Sequence, residues 1–168
     1  MHSWPPAEVR FAARLETLQQ NQLYRRLKAP EGLDVSSNDY RGLARDERLR
    51  SAMIRSLQAG LDTGATGSRL LTGERWELET VECRFAQWQG REAALYSTSG
   101  YQANLGLLST VIEAGDHVVS DALNHASLID GIRLSKARVS IVDHLDCEQV
   151  EAALRAQKGP HWIVVESL

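Results

Sequence analysis

Ala93-Ala94-Leu95-Tyr96-Ser97-Thr98-Ser99-Gly100-Tyr101-Gln102-Ala103-Asn104 reads as a short apolar strand that runs through a serine-glycine turn into the start of a helix. Downstream of this turn the chain keeps alternating apolar runs with amphipathic segments. Ala93 to Tyr96 is predicted as a buried strand, Ala103 to Ile112 as a helix, His117 to Ser120 as a strand and Leu128 to Leu134 as a helix. Val139 to Val142 follows as a strand, Cys147 to Gln157 as a helix and Trp162 to Val165 as a fourth strand. Strand and helix alternating through short connections predict right-handed crossovers and a mostly parallel sheet covered by helices on both faces. The fold class is therefore α/β, and ligands in such sheets sit beyond the carboxyl ends of the strands.

Upstream the pattern is different. Glu8 to Leu27 carries Val9, Ala12, Ala13, Leu15, Leu18, Leu23 and Leu27 along a charged rod and is predicted as a helical arm, broken by Ala29-Pro30-Glu31-Gly32. Leu33 to Ser37 reads as a short extended piece, and Asn38-Asp39 as a polar turn before Tyr40-Arg41-Gly42-Leu43. Glu47 to Gln58 is predicted as a helix stopped by Gly60, and Trp76 to Gln89 as a helix ended by Gly90. Between them Thr63 to Gly73 holds three glycines and follows neither a helical nor a strand period, so it is a loop whose backbone contacts something. Residues 1–58 are expected to form an N-terminal arm and small-domain segment, and 59–168 the front part of a large α/β domain. An apolar strand at the last residues would need a covering helix, so the chain is expected to be the front part of a longer protein.

Ser99-Gly100-Tyr101 opens a helix after a strand. The unpaired N–H groups and the dipole of that helix terminus favour an anion, and Gly100 lets backbone approach it; a plain N-cap is the competing reading. The Gly-Lys-Ser/Thr ending of a phosphate loop and a Gly-x-Gly-x-x-Gly fingerprint are both lacking. His125 follows the strand His117 to Ser120 on the same sheet edge as Gly100, and Glu166 ends another strand at that edge. His117 begins a strand, the wrong end for a ligand, and His144 between Asp143 and Asp146 suits a helix-entry turn. Ser127 reads as an N-cap, and Arg25 and Arg69 as ion-pairing residues near irregular segments.

Composition narrows the classes. With 168 residues, 43% apolar and 24% charged, the chain is long enough for a real core and ordinary for a soluble protein. A net charge of −3 argues against nucleic acid, no run approaches a membrane span, and Met1 to Arg10 lacks signal-peptide blocks, which makes the cytoplasm the expected compartment. Cys83 and Cys147 are isolated and read as reduced thiols, with no metal site.

Several ordered motifs carry a resemblance. Ser37-Asn38-Asp39-Tyr40-Arg41-Gly42-Leu43, the run Gly64 to Gly73, Ser99 to Asn104, Ser120-Asp121, His125 to Gly131 and Val165-Glu166-Ser167 stand in the order found in the α-oxoamine synthases, and the chain resembles that family over most of its length. The resemblance implies a pyridoxal-phosphate enzyme of fold type I, aspartate-aminotransferase-like, working as a homodimer. It further implies decarboxylative condensation of an amino acid with an acyl-CoA. In the biotin-pathway branch that the chain most resembles, these are L-alanine and pimeloyl-CoA or its carrier-protein equivalent. It places Gly100 and Tyr101 on the cofactor phosphate, His125 against the pyridine ring and the substrate, Glu166 near the cofactor, and Arg25, with Arg26 as a competing register, at the acyl carboxylate. The loop 64–73 resembles the segment that reaches across the dimer. Arg41 and Leu78 depart from the family pattern, where an apolar residue and a His are usual, and this bears on the acyl substrate. Glycine-using relatives of the 2-amino-3-ketobutyrate ligase and aminolevulinate synthase types, and a non-catalytic phosphate-binding or dimerisation module, are the alternatives.

One element is missing. The chemistry needs a Schiff-base lysine and a carboxylate on the pyridine nitrogen. Lys28, Lys136 and Lys158 are the only lysines, and none lies on a fitting loop. The resemblance puts both groups further along than Leu168.

Overall fold

A computed structural model describes residues 6–29, 31–33 and 35–166. Pro30, Asp34, Ser167 and Leu168, on which parts of the predicted break, extended piece and final motif fall, lie outside the described residues, as do residues 1–5. The chain divides into two compact units that meet between Thr63 and Gly64.

The first unit holds α1 (Ala7–Gln20), a single 3-10 turn (Leu43–Arg45) and α2 (Glu47–Gln58). The predicted arm helix to Leu27 is too long. Apolar spacing fails after Leu18, Gln22 turns left-handed at φ 56°, and the N–H groups of Leu23 and Tyr24 fold back onto the Leu18 carbonyl at 2.8 and 3.1 Å. At the polar turn, Asp39 accepts the N–H groups of Leu43 and Ala44 at 2.8 and 3.0 Å. The N-cap Asp46 accepts the Arg48 N–H at 2.8 Å, and Gly60 follows α2 at φ 95°.

The second unit begins with the glycine loop, α3 (Trp76–Gln89) and its left-handed stop at Gly90. After an extended stretch come α4 (Gly100–Val111), β1 (His117–Asp121), α5 (Ala126–Ser135), β2 (Arg138–Val142), α6 (Cys147–Ala156) and β3 (His161–Val164). The three strands form a parallel sheet in the order β2-β1-β3, with Val118 in register with Val139 on one side and Trp162 on the other. Leu108 and Ile112 of α4, Val118 of β1, Ile132 of α5 and Val164 of β3 form the core, with Leu128 and Ala137 packed against it. Burying each such side chain contributes roughly 1.5–3 kcal/mol.

Two expectations need correction. Residues 93–96 are extended but join no ladder, and Leu95 is 81% exposed. The Tyr96 N–H bonds instead to the Glu82 carboxylate at 2.6 Å, so this stretch is fixed by a side chain rather than by a neighbouring strand. Cover on both faces holds for the central strand only. From His117 to Ser120, β1 is buried, while Ile141 and Ile163 on the flanking strands are exposed because the described helices do not extend over both edges.

Candidate functional site

At the head of α4, Ser99 is the N-cap: its hydroxyl accepts the Gln102 N–H at 3.2 Å and its carbonyl the Ala103 N–H at 3.0 Å. That leaves the N–H groups of Gly100 and Tyr101 without an acceptor among the described residues. A Cβ placed on Gly100 would meet nothing within 4 Å. A cavity of about 290 Å³ lies at Gly100, lined also by Ser97, Ser99, Val81, Phe85 and Leu95. Two free donors at the positive end of a helix suit a phosphate dianion.

The β1–α5 connection brings His125 to the same place. Its ring meets that of Tyr101 edge-on, centroids 6.2 Å apart at 75°. His125 is itself the N-cap of α5, its Nδ1 accepting the Ser127 N–H at 3.2 Å, which corrects the reading of Ser127 as the cap. Ser127 is wholly buried and does something else: its hydroxyl lies 2.8 Å from His125 Nδ1 and 3.0 Å from the Asn104 amide nitrogen of α4. The backbone N–H of His125 donates to the Glu166 carboxylate at 2.7 Å, tying the loop to the carboxyl end of β3. Asn124 strengthens the same tie, its amide donating to the Ser120 hydroxyl at 3.0 Å and the Val164 carbonyl at 2.7 Å, while its buried Oδ1 meets no partner among the described residues.

Gly100, Tyr101, His125 and Glu166 thus stand together in the second unit. Arg25 belongs to the first unit, on the irregular stretch after α1, where the neighbouring Arg26 guanidinium lies 5.7 Å over the Tyr24 ring. Arg69 takes the ion-pairing role, bonding Glu74 at 2.7 Å and Glu82 at 2.6 Å. With the Arg69 guanidinium first and the Tyr96 N–H second, these bonds hold the Glu82 pKa down to about 2. The loop 64–73 is closed by Gly73, whose backbone packs so tightly on Gly67 that a Cβ there would fall 2.0 Å from the Gly67 carbonyl oxygen. Asp121 is spent on the Leu123 N–H of its own loop at 2.8 Å and on His144, after β2, at 2.9 Å, which together lower its pKa.

Sequence reading passed over Asn104, Asn124 and Asp130. Asp130 accepts the Tyr101 hydroxyl, and this bond raises the tyrosine pKa. The signal for Asn104 and Asp130 was present as polar residues three apart on two consecutive helices, Tyr101 with Asn104 and Ser127 with Asp130, a spacing that lines up one helix face.

In open parallel sheets of α/β proteins ligands bind at the carboxyl edge, the edge at which His125 stands. The family model described as aminotransferase class I and II matches residues 30–168. An 8-amino-7-oxononanoate synthase of Acidithiobacillus ferrooxidans is 39% identical over all of this chain and 47% of its own length. A solved 8-amino-7-oxononanoate synthase of Francisella tularensis is 28% identical with a TM-score of 0.56, covering 70% of this chain and 32% of that one. A high-resolution structure of SPT with PLP internal aldimine is 29% identical with a TM-score of 0.69, covering 74% and 32%. The chain belongs to the aminotransferase class I and II family, and its fold is the fold type I of pyridoxal-phosphate-dependent enzymes. It spans less than half the length of the curated relatives it matches.

Proposed function

We propose that the protein is a pyridoxal-phosphate-dependent α-oxoamine synthase that condenses L-alanine with pimeloyl-CoA or pimeloyl carrier protein, releasing CoA and carbon dioxide, for biotin biosynthesis. The observation that carries this is the pair of N–H groups at Gly100 and Tyr101 that meet no acceptor among the described residues, with the His125 ring against that of Tyr101. The donor set fits the cofactor: two backbone donors and a helix dipole for its phosphate, and an imidazole for its ring. When bound, pyridoxal phosphate supplies an electron sink. This chain's own residues bind and orient. Gly100 and Tyr101 hold the phosphate, His125 walls the ring and meets substrate, and Glu166 fixes the His125 backbone. Arg25 is assigned to the acyl carboxylate.

The identity of the relatives supports the substrate choice, and a cytoplasmic homodimer is the working form we assign. Among the described residues no helix is long and apolar enough to cross a membrane. Lys136 and Lys158 precede β2 and β3, at the amino edge of the sheet and so opposite Gly100 and His125, and Lys28 pairs with Glu31 at 3.4 Å in the first unit. The Schiff-base lysine is therefore assigned outside these 168 residues.

The test is CoA release by the full protein with pimeloyl-CoA, alanine against glycine. Alanine is expected to be preferred, and a preference for glycine would overturn the substrate assignment. Borohydride reduction of the full protein with pyridoxal phosphate, followed by peptide mass mapping, is expected to leave Lys28, Lys136 and Lys158 unmodified. Stoichiometric labelling of any one of them would overturn the lysine assignment.

A further inference from the structure

The backbone N–H of Ser127 is a group that can only donate, and it lies 3.2 Å from His125 Nδ1. That fixes the direction of everything around it. Nδ1 must accept, so the ring proton sits on Nε2. The Ser127 hydroxyl, 2.8 Å from the same Nδ1, must then donate its single hydrogen to the ring. Having given that hydrogen away, the oxygen can only accept from the Asn104 amide nitrogen at 3.0 Å. A one-way chain of bonds therefore runs from an amide on α4, through a wholly buried hydroxyl on α5, to the imidazole at the edge of the sheet.

The frame that carries this chain is rigid. Tyr101 bonds to Asp130 one helical turn from the Asn104–Ser127 contact, so the two helices are tied at two points on one face. Gly131 lets them approach. A Cβ there would lie 3.0 Å from Leu108 Cβ and 3.1 Å from the Asn104 carbonyl oxygen, so the separation of α4 and α5 is set by contact.

We infer that Asn104 and Ser127 are positioning residues that hold the His125 ring in its Nε2–H form, leaving Nε2 as the ring nitrogen that faces a ligand, and as a donor. The same helix whose first N–H groups are free for a phosphate also reinforces, through Asn104 and the Ser127 hydroxyl, the tautomer that the Ser127 N–H imposes on the imidazole. The assignment rests on the reading of His125 as the wall of the cofactor pocket. Its geometry stands without the cofactor.

The test is nitrogen-15 spectroscopy of the histidine rings in the full protein, first without pyridoxal phosphate. The parent is expected to show His125 as Nε2–H, and an Nδ1–H ring in the parent overturns the inference with no variant needed. Asn104→Asp replaces a donor by an acceptor. The Ser127 hydroxyl then turns to the new carboxylate, and His125 is expected to move towards the Nδ1–H form so as to donate to the hydroxyl oxygen. Adding Ser127→Ala to that variant removes the intermediary, and the Nε2–H form is expected to return. A purely structural role for Asn104 predicts no tautomer change in the single variant and no reversal in the double. Either result, or an Nδ1–H ring that persists in the double variant, overturns the relay. Pyridoxal phosphate is then added to the parent. A shift of the His125 signals supports the cofactor reading, and unshifted signals sink that reading while the tautomer measurements still judge the relay.

Discussion

The two ends of one three-stranded sheet treat their polar groups in opposite ways. At the amino end the buried polar groups bond one another. Asp116 accepts the Glu113 N–H at 3.1 Å and the Trp162 indole N–H at 2.7 Å, and these bonds lower its pKa. The buried His117 ring lies 3.2 Å from His161 Nδ1 and 2.8 Å from the Ser140 hydroxyl, and Arg138 donates to the Gly115 carbonyl at 3.2 Å. At the carboxyl end the networks stop short. Side chains there orient His125 and the loop around it, while two N–H groups of α4 are left over. A parallel sheet gathers loops at both ends, so topology alone does not choose the ligand side. The mark on which the proposed site rests is the pair of main-chain N–H groups at the head of α4, which meet no acceptor among the described residues.

Both ends hang on one core, so the largest effect is expected from a change that spares neither. Ile132 is 3% exposed and packs with Leu108, Val118 and Val164. Ile132→Ala is expected to lower unfolding stability by roughly 2–5 kcal/mol. Chemical denaturation read by circular dichroism checks this, and a loss confined to one end would show that the two ends do not share a core.

Gly131→Ala separates the ends instead. The added methyl must displace Leu108 or push on the Asn104 carbonyl, at a cost of about 1–3 kcal/mol, and it acts at the α4–α5 contact. The carboxyl-end tie between Asn104 and Ser127 is expected to lengthen while the His117–His161 pair keeps its geometry, which histidine ring spectra of the variant can read.

Acid acts on the other end. Burial first, then His161 and Arg138, hold the His117 pKa below its ordinary 6.5. In the unfolded chain that ring takes up its proton near pH 6.5, whereas in the folded protein it resists. The stabilising difference is therefore whole above pH 6.5 and erodes as pH falls through 6.5 towards the folded value. Denaturation midpoints between pH 7.5 and 5 are expected to fall with a slope of up to one proton, and His117→Gln is expected to remove that part of the slope. An unchanged slope in the variant would place the acid sensitivity elsewhere.

How much of this the chain announced depends on the range of the interaction. The bounds of α2 and α3 were legible because capping and stop residues are local: Gly90 stops α3 at a left-handed residue, as its position in the sequence implied. The parallel pairing of the three strands was legible because strands alternating with helices through short connections must cross over rather than form hairpins. Residues 93–96 were misread because the same apolar run serves a laddered strand or a stretch held by a distant carboxylate, and Glu82 lies fourteen positions away from Tyr96. Ser127 was misread for a related reason. His125 caps the helix two residues earlier by accepting the N–H of Ser127 itself, and the serine hydroxyl is taken up by His125 and by an amide on another helix. Within the site, the turn at Gly100 and the imidazole were visible as residue types at a sheet edge. The network that orients the imidazole was not, since it is a product of how closely α4 and α5 pack.

The smallest effect is expected from Glu166→Gln, and it is also the most discriminating about what the carboxyl end needs. The Glu166 carboxylate accepts the His125 N–H at 2.7 Å and sits on the exposed side of the loop. Glutamine keeps an acceptor at nearly the same place and removes only the charge. If Glu166 serves to hold the loop, the bond survives with slightly less strength, and retention of pyridoxal phosphate by the full protein is expected to weaken about twofold to threefold. Absorbance of the bound cofactor after dialysis measures it. A loss of a hundredfold would mean that the negative charge itself faces the ligand, and Glu166 would then move from holding the loop to touching what binds there. An effect that small beside the Ile132→Ala loss fits an edge whose loop is tied to β3 twice. Asn124 still bonds the Val164 carbonyl when the Glu166 charge is gone.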